Sequence, residues 1–373
     1  MEGLKRKGFI YLVLLSLCSV CVNICGSQQW TWSYKKIFDE KEFVGHGSCK
    51  EVIFSKKNIK NFSQLIFSWN SVRPSDGHFS FYVKTRNSVS KKWSRWHKMI
   101  DWGSGMQKSY FSKDDETKYV YVRLETGSVN LADAFTIKIE SCNDVHLELL
   151  KSVCVCTSDF NKFKPEKIDA RVLHLKSIHI RQVPKISQRT LNHPHTSRIC
   201  SPTSCSMLVG YFSKEKIDAA MFADTVFDHG LRAYGSWPFN VAELYGRCNT
   251  CCNTCCNKCC DVSCDVSCAC TLFFYIQRMN SFVDLHKKLL KKIPVVVSVR
   301  GKLTGAPKAY NGGHLMVVVG WDAKRGTVIC HDPAFYSDKS TRVAYPLDTF
   351  LKGWERSHRL AYVADVIDEN YIK

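Results

Sequence analysis

A cysteine begins a predicted helix in the second half of the chain. Residues 198–209 read Arg-Ile-Cys-Ser-Pro-Thr-Ser-Cys-Ser-Met-Leu-Val, which places Pro202 two positions after Cys200. Proline suits the first helical turn, where no amide donor is needed, and the residues from Ser204 onward can continue as a buried helix. The helix dipole and the unpaired amides of such an N-terminus stabilise a thiolate, so Cys200 is a candidate nucleophile.

A base and a carboxylate that suit this thiolate stand far downstream. His314 follows two glycines and precedes the apolar run 315–319, which predicts a buried strand. The next predicted strand covers residues 327–330, and Asp332 lies two positions after its end. Because neighbouring strands lie side by side, His314 and Asp332 can meet. A nucleophile, a base and an orienting carboxylate are the groups that acyl transfer requires.

Three further side chains close to these positions are expected to have other roles. Cys205 lies inside the predicted helix and Cys330 inside a predicted strand, so both are expected in the core. His331 is adjacent to Asp332, but no glycine pair precedes it as one precedes His314. We therefore prefer His314 as the base.

The elements before these residues alternate in polarity with a period of two, which is typical of half-buried strands. Clear runs lie at 79–85, 118–124 and 134–140, and Arg-Pro-Ser-Asp-Gly at 73–77 predicts a turn. Such short strands favour an antiparallel β-sandwich domain at 28–145. Four tryptophans in it are expected mainly in the core, with contact to sugar rings as the alternative: Trp69, Trp93, Trp96 and Trp102.

Residues 146–172 have mixed polarity and are predicted to be a linker. Residues 173–366 are predicted to form an α+β domain. Its expected strands lie at 173–180, 295–299, 315–319 and 327–330, and its expected helices begin after Cys200 and cover 281–292.

The N-terminus has the layout of a secretory signal. Three basic residues at 5–7 precede an apolar run at 9–24, and small residues follow at 26–27. We predict a signal peptide over 1–27 and export to the periplasm, the cell envelope or the extracellular space. An uncleaved anchor or a lipoprotein attached through one of the early cysteines is the alternative.

The chain has 373 residues, 45% of them hydrophobic, and a formal net charge of +19. This composition is that of a globular protein rather than a disordered one. The basic residues are spread along the chain without an arginine-rich arm, so nucleic acid is not an expected partner. An anionic polymer of the cell envelope, bound through the sandwich, is the partner that the charge favours.

Ten of the 20 cysteines lie in the segment 248–270, where cysteine recurs every fourth position. Three interpretations stay open for this insertion. It is a tandem expansion without a chemical role, a source of disulfide crosslinks, or an all-sulfur site for zinc or copper(I).

Several segments resemble papain-fold cysteine peptidases of the bacteriocin-processing, double-glycine type, the family 39-like peptidases. The segments that carry the resemblance are Arg-Ile-Cys-Ser-Pro-Thr-Ser at 198–204, Tyr-Gly-Ser-Trp-Pro-Phe-Asn at 234–240, Gly-His-Leu at 313–315 and His-Asp-Pro-Ala at 331–334. The resemblance implies a papain-like fold for 173–366. It also implies that Cys200 is the nucleophile, His314 the general base and acid, Asp332 its orienting group and Gln188 a donor to the oxyanion. The cysteine-rich insertion departs from the family pattern.

The expected function is that of an exported cysteine peptidase without a cofactor or metal. It would hydrolyse amide bonds in a peptide, a protein or the cell envelope through a thioester acyl-enzyme. An acyl transferase that uses the same Cys200, His314 and Asp332 is one alternative. A catalytically inactive envelope-binding protein, or a structural protein crosslinked through residues 248–270, is the other.

Overall fold

The structure is a computed structural model that describes residues 29–39, 42–43, 51–127, 129–143, 145–255 and 270–368. The predicted signal peptide at 1–27 and residues 256–269 of the cysteine-rich insertion lie outside the described residues. Within those ranges the chain forms three antiparallel sheets and six α-helices. Among the described residues, no helix combines the length and the apolar character that crossing a bilayer requires.

The strands in chain order are β1 (Thr31–Ile37), β2 (Glu51–Lys56), β3 (Gln64–Ser71), β4 (His78–Asn87), β5 (His97–Gly103), β6 (Gln107–Ser109), β7 (Ser112–Lys113), β8 (Lys118–Val120), β9 (Arg123–Glu125), β10 (Ala132–Cys142), β11 (Leu150–Ser158), β12 (Ile178–His179), β13 (Cys270–Arg278), β14 (Val295–Gly301), β15 (Tyr310–Asp322), β16 (Thr327–His331), β17 (Arg342–Pro346) and β18 (Leu360–Asp368). The helices are α1 (Ala170–Leu173), α2 (Cys200–Phe212), α3 (Ala219–Thr225), α4 (Trp237–Cys255), α5 (Phe282–Leu290) and α6 (Leu347–Glu355).

Two sheets of the N-terminal half share an aromatic core. Their strand orders are β1-β11-β3-β9-β8-β7 and β2-β10-β4-β5-β6. Trp69 of the first sheet stacks on Phe81 of the second with ring centroids 4.4 Å apart, and it meets Trp102 edge-on at 5.4 Å. Trp69 and Trp102 are fully buried, which confirms the core prediction for both, whereas Trp93 and Trp96 are partly exposed.

The predicted linker at 146–172 is wrong for residues 150–158. These residues form β11, which pairs with β1 on one side and with β3 on the other. Residues 152–158 are all buried, so the sequence shows no alternation that would reveal a strand. Cys154 and Cys156 occupy core positions here, where an aliphatic residue would have been the more recognisable pattern.

The single strand predicted at 118–124 is also wrong. The segment folds into the hairpin β8–β9, with Tyr121 and Val122 at its turn. Both turn residues have positive φ, 48° and 55° respectively. Positive φ at both central positions defines the tight type I′ turn, which asparagine and glycine usually supply. Tyr-Val gives no such signal.

The third sheet has the order β13-β18-β14-β15-β16-β17, and β12 pairs with β15 beside it. Its central strands correspond to those predicted. The predicted helix at 281–292 is confirmed as α5, whose N-cap Ser281 accepts a hydrogen bond from the backbone of Asp284. The strand predicted at 173–180 is shorter, because only β12 is extended there.

The edge strand β13 of the third sheet is held by side chains of the first sheet. Asn70 Nδ2 donates to Phe274 O at 3.0 Å, and Phe274 N donates back to Asn70 Oδ1 at 2.8 Å. Ile276 N donates to Ser68 Oγ at 3.1 Å. Since a free strand edge exposes unpaired amides, these side chains take the place of a neighbouring strand.

The Asn70→Ala substitution is expected to lower the free energy of unfolding by about 2–4 kcal/mol, because it leaves a buried amide and a buried carbonyl of β13 without partners. Urea unfolding followed by tryptophan fluorescence measures the change. Asn192→Ala is the matched control, since Asn192 is exposed. Equal stability of the two variants would contradict this account of how the sheets are joined.

A second amide pair closes the base of the cysteine-rich insertion. Asn249 Nδ2 donates to Leu272 O at 2.9 Å, and Leu272 N donates to Asn249 Oδ1 at 3.1 Å. Asn249 belongs to α4 and Leu272 to β13. The two elements that flank residues 256–269 are therefore joined directly to each other.

Candidate active site

Cys200 is the first residue of α2, as predicted. The carbonyl of Ile199 accepts the first helical bond, from Thr203 N at 3.0 Å. Cys200 and Ser201 lie in the first turn, so their N–H groups have no intrahelical acceptor, and Pro202 has no N–H group at all. Two amide donors are thus available next to the Cys200 sulfur.

Three hydrogen bonds fix the beginning of α2 against the third sheet and α4. Ser204 Oγ donates to Leu315 O at 3.1 Å. Ser201 Oγ donates to Asn240 Oδ1 of α4 at 3.0 Å and lies 3.0 Å from the hydroxyl of Tyr362 on β18. These contacts hold Cys200 beside the strand that carries His314.

His314 lies within β15, opposite Val299 of β14. Gly313 before it has a φ of +93°, a conformation that favours glycine, and the register of the two strands shifts after Val299. His314 is buried, its Nε2 lies 2.7 Å from Asp332 Oδ1, and its side chain is close enough to the Cys200 thiol to shift the pKa of that thiol. The structure therefore brings Cys200, His314 and Asp332 together.

Asp332 is completely buried and accepts four hydrogen bonds. Its Oδ1 accepts from His314 and, at 2.9 Å, from the backbone of Ala334. Its Oδ2 accepts from the hydroxyls of Tyr310 and Tyr345, each at 2.6 Å. The Tyr310 ring also stacks on the imidazole with centroids 4.1 Å apart. Both the carboxylate and the imidazole are held in fixed orientations.

The three groups stabilise one another's charged forms. Burial raises the pKa of the Cys200 thiol, but the charge and hydrogen bond of His314 outweigh burial and leave that pKa below its usual value. Burial lowers the pKa of His314, and the negative charges of Asp332 and Cys200 raise it to about 10. For Asp332, burial is outweighed by His314 and the two tyrosines, so its pKa is lowered. The contacts therefore favour the ion pair of a thiolate with an imidazolium, beside a carboxylate.

Gln188 lies in the loop before α2 and is buried. Its backbone N donates to Pro333 O at 2.9 Å, so it is attached to the turn after Asp332. Its side-chain Nε2 donates to Thr196 O at 2.6 Å, while Oε1 is buried with no hydrogen-bond partner among the described residues. One of the two N–H groups on Nε2 stays available for another acceptor.

The other nearby candidates have structural surroundings. Cys205 and Cys330 are fully buried, and burial raises the pKa of each thiol well above its usual value, which confirms their core assignment. His331 Nδ1 bonds the carbonyl of Pro184 at 3.0 Å, and burial lowers the pKa of His331 to about 4. His331 is therefore neutral and turned away from Asp332.

Tyr310, Tyr345 and Asn240 were not expected at this site. Tyr310 is four residues before His314 on the same strand, so the period of two placed both on one face and was a usable signal. Tyr345 comes from β17, and nothing in the sequence links it to Asp332. Asn240 comes from α4 and ends the resemblance segment 234–240, but its contact with Ser201 gave no local signal.

Residues 180–362 match the Peptidase_C39 like family. This part of the chain belongs to the C39-like peptidases. All four predicted site residues lie inside the matched range, and the two N-terminal sheets lie before it. A crystal structure provisionally described as a C39-like peptidase from Bacillus anthracis is 18% identical, with 51% of this chain and 98% of that chain covered and a TM-score of 0.35. No curated protein sequence matches the chain.

Membership in the C39-like peptidases indicates a hydrolase of peptide bonds. Cys200, His314 and Asp332 form the one cluster described above in which a nucleophile, a base and a carboxylate are in mutual contact. It lies on the C39-like part of the chain.

Proposed function

We propose that the protein is an exported cysteine peptidase that hydrolyses peptide or cell-envelope amide bonds through a thioester acyl-enzyme. Cys200 is the nucleophile, His314 the general base and acid, and Asp332 the group that orients His314. The close approach of Cys200 to His314, and of His314 to Asp332, carries the proposal.

The first half of the reaction begins from the thiolate of Cys200. Its sulfur attacks the carbonyl carbon of the substrate, and the electron pair of the C=O bond moves to the oxygen. When the tetrahedral intermediate collapses, the C–N bond breaks and the His314 imidazolium gives its proton to the departing amine. A thioester on Cys200 remains. Asp332 keeps the imidazole ring aligned throughout.

Water completes the cycle. His314, now neutral, takes a proton from a water molecule, whose oxygen attacks the thioester carbonyl. The C–S bond then breaks, the carboxylic acid product leaves, and the thiolate and imidazolium are restored. In both steps, the oxyanion accepts hydrogen bonds from the N–H of Cys200 and from the second N–H of Gln188 Nε2.

The papain-like fold is proposed for the C-terminal half on the order of its elements. The nucleophile begins helix α2, and the base and the carboxylate follow on adjacent antiparallel strands, β15 and the end of β16. Export is supported by the sequence pattern of residues 1–27 alone.

An electrophilic peptide probe tests the mechanism through its pH dependence. The probe is expected to label Cys200 at a lower pH than an ordinary thiol, since the pKa of Cys200 is lowered. Removing the imidazolium by His314→Ala takes away the largest influence that opposes burial, so the pKa of Cys200 rises and labelling at pH 7 falls by about tenfold. Mass spectrometry of the digested protein identifies the labelled residue at each pH.

Cys205 and Cys330 are internal controls in the same experiment, because their raised pKa values keep them protonated. Labelling of another cysteine while Cys200 stays unmodified would remove Cys200 from the mechanism. If Cys200 is labelled equally in the His314→Ala protein and in the unchanged protein, the proposed ion pair between Cys200 and His314 is wrong.

A further inference from the structure

A groove of about 170 Å³ lies where the first sheet meets the third. Four arginines from distant parts of the chain line it: Arg123 of β9, Arg278 of β13, Arg300 of β14 and Arg356 after α6. One carboxylate, Glu125, faces them and pairs with Arg123 at 2.7 Å. The groove is therefore strongly cationic.

Arg300 and Arg356 carry charges that are available to a ligand. Both are exposed, and in the described part of the chain no carboxylate lies within ion-pair distance of either guanidinium. Arg356 lies directly on Gly301, which has a φ of +84°. A Cβ at that position would be 1.9 Å from Arg356 Nη1, so the guanidinium would have to move if Gly301 were replaced.

The floor of the groove also retains positive charge. Arg278 donates to the carbonyl of His358 at 2.9 Å, and burial lowers the pKa of Arg278 only to about 10, so it stays charged at neutral pH. Burial lowers the pKa of His358 to about 4, and the charges of Arg278, Arg123 and Arg300 lower it further in the same direction. His358 is thus neutral beside a persistent positive field.

The wall of the groove is formed by elements that also position the nucleophile. Trp237 of its wall is one helical turn from Asn240, and Leu360 is two strand positions from Tyr362. Residues at these spacings share a face of their element. Asn240 and Tyr362 are the two residues that hold Ser201, the neighbour of Cys200. The wall is therefore continuous with the residues that position α2.

The groove also borders the backbone of β15, the strand that carries the base. Arg300 follows Val299, the residue opposite His314 in the sheet. Arg300 Nε is 3.6 Å from the place where a Cβ would stand on Gly313, immediately before His314. A ligand held by Arg300 is thus next to the backbone that carries the imidazole.

A second cavity of about 260 Å³ extends the groove along the first sheet. The two cavities share Gln64, Glu125 and Phe160. Together they form an elongated depression that suits an extended peptide better than a compact small molecule.

We propose that this groove binds the peptide substrate and selects peptides that carry carboxylate groups, with Arg300 and Arg356 as the residues that determine this specificity. The planar guanidinium binds a carboxylate through two parallel hydrogen bonds, which gives orientation as well as affinity. The inference takes the identity of the cleaved bond from the proposed function, but the binding preference does not depend on catalysis.

Binding to the Cys200→Ser protein tests the preference without turnover. Three ten-residue peptides with an uncharged fluorophore are compared by anisotropy: alternating Gly-Glu with blocked ends, alternating Gly-Gln with blocked ends, and alternating Gly-Gln with a free C-terminal carboxylate. The Gly-Glu peptide is expected to bind about tenfold more tightly than the blocked Gly-Gln peptide. Tighter binding of only the third peptide would assign the arginines to a chain terminus instead of to side chains.

Substituting arginines inside and outside the groove distinguishes binding by the groove from attraction by the overall positive charge of the protein. Arg300→Gln combined with Arg356→Gln is expected to bring the Glu-to-Gln affinity ratio close to one. Arg325→Gln removes an equal type of charge from an exposed turn and should keep the ratio. Equal binding of all three peptides, or a ratio that survives the double substitution, would overturn the inference. If the ratio behaves as expected while Cys200 is unreactive toward the probe, the groove stands and the peptidase mechanism falls.

Discussion

The Cys200→Ser substitution is expected to reduce peptide hydrolysis by about 10⁴-fold or more. A hydroxyl has a far higher pKa than a thiol, so the field of His314 and the amides of the α2 N-terminus cannot ionise it at neutral pH. The residual rate reflects only oxyanion stabilisation and substrate binding. Initial rates with a fluorogenic peptide pool measure the loss.

Cys142→Ser is the matched control for that experiment. Cys142 is a partly exposed free cysteine at the end of β10, in the second sheet, and its replacement makes the same chemical change away from α2. This variant is expected to keep the full rate. Hydrolysis that persists after Cys200→Ser would rule out Cys200 as the nucleophile.

Asp332→Asn is expected to lower the hydrolysis rate by about 10³–10⁴-fold. Both oxygens of Asp332 accept two hydrogen bonds, from His314 and Ala334 on one side and from Tyr310 and Tyr345 on the other. In either orientation of the substituted side chain, its NH₂ group would face two hydrogen-bond donors and could bond neither. The imidazolium of His314 would also lose its negatively charged partner. The pKa of His314 should fall as a consequence.

Two measurements distinguish a loss of His314 orientation from a loss of folding in the Asp332→Asn protein. The pH dependence of probe labelling reports the protonation of His314, and urea unfolding reports the stability of the variant. Asp348→Asn, on the exposed side of α6, is the control for loss of one carboxylate. A folded Asp332→Asn protein with an unchanged rate would show that the imidazole needs no carboxylate partner.

The sequence was sufficient to predict that Cys200 begins a helix, that His314 lies on a strand and that Asp332 lies directly after the neighbouring strand. Helix-start residues around Cys200 and glycines before His314 are local signals, and both describe the structure correctly. The supports of Asp332 are not local. Tyr345 reaches it only because β16 and β17 pair, and such pairing leaves no mark in the residues themselves.

The errors in the fold have a common physical origin. β11 is buried on both faces and so lacks a period of two, and the β8–β9 turn uses tyrosine and valine in place of the usual turn residues. Hydrophobic alternation detects strands with one exposed face and turns that contain glycine or asparagine. Hydrophobic alternation does not detect strands that are buried on both faces or turns that lack glycine and asparagine.

The arginine groove shows a further limit of sequence patterns. Its four arginines come from four separate elements and from both halves of the chain, and the spread of basic residues along the sequence predicts only a general positive charge. Their convergence depends on how the first sheet meets the third. The selectivity for acidic peptides is therefore a property of the assembled chain.

The amide pair between Asn249 and Leu272 bears on how the cysteine repeats can evolve. That pair joins α4 to β13 directly. The two positions at which the chain enters and leaves the insertion are therefore hydrogen-bonded to each other, whatever the number of residues between them. The entropic cost of closing a loop grows with the logarithm of its length, so a doubling adds only about 0.6 kcal/mol. Replication slippage can thus add or remove four-residue units here, and selection on catalysis would scarcely register the change.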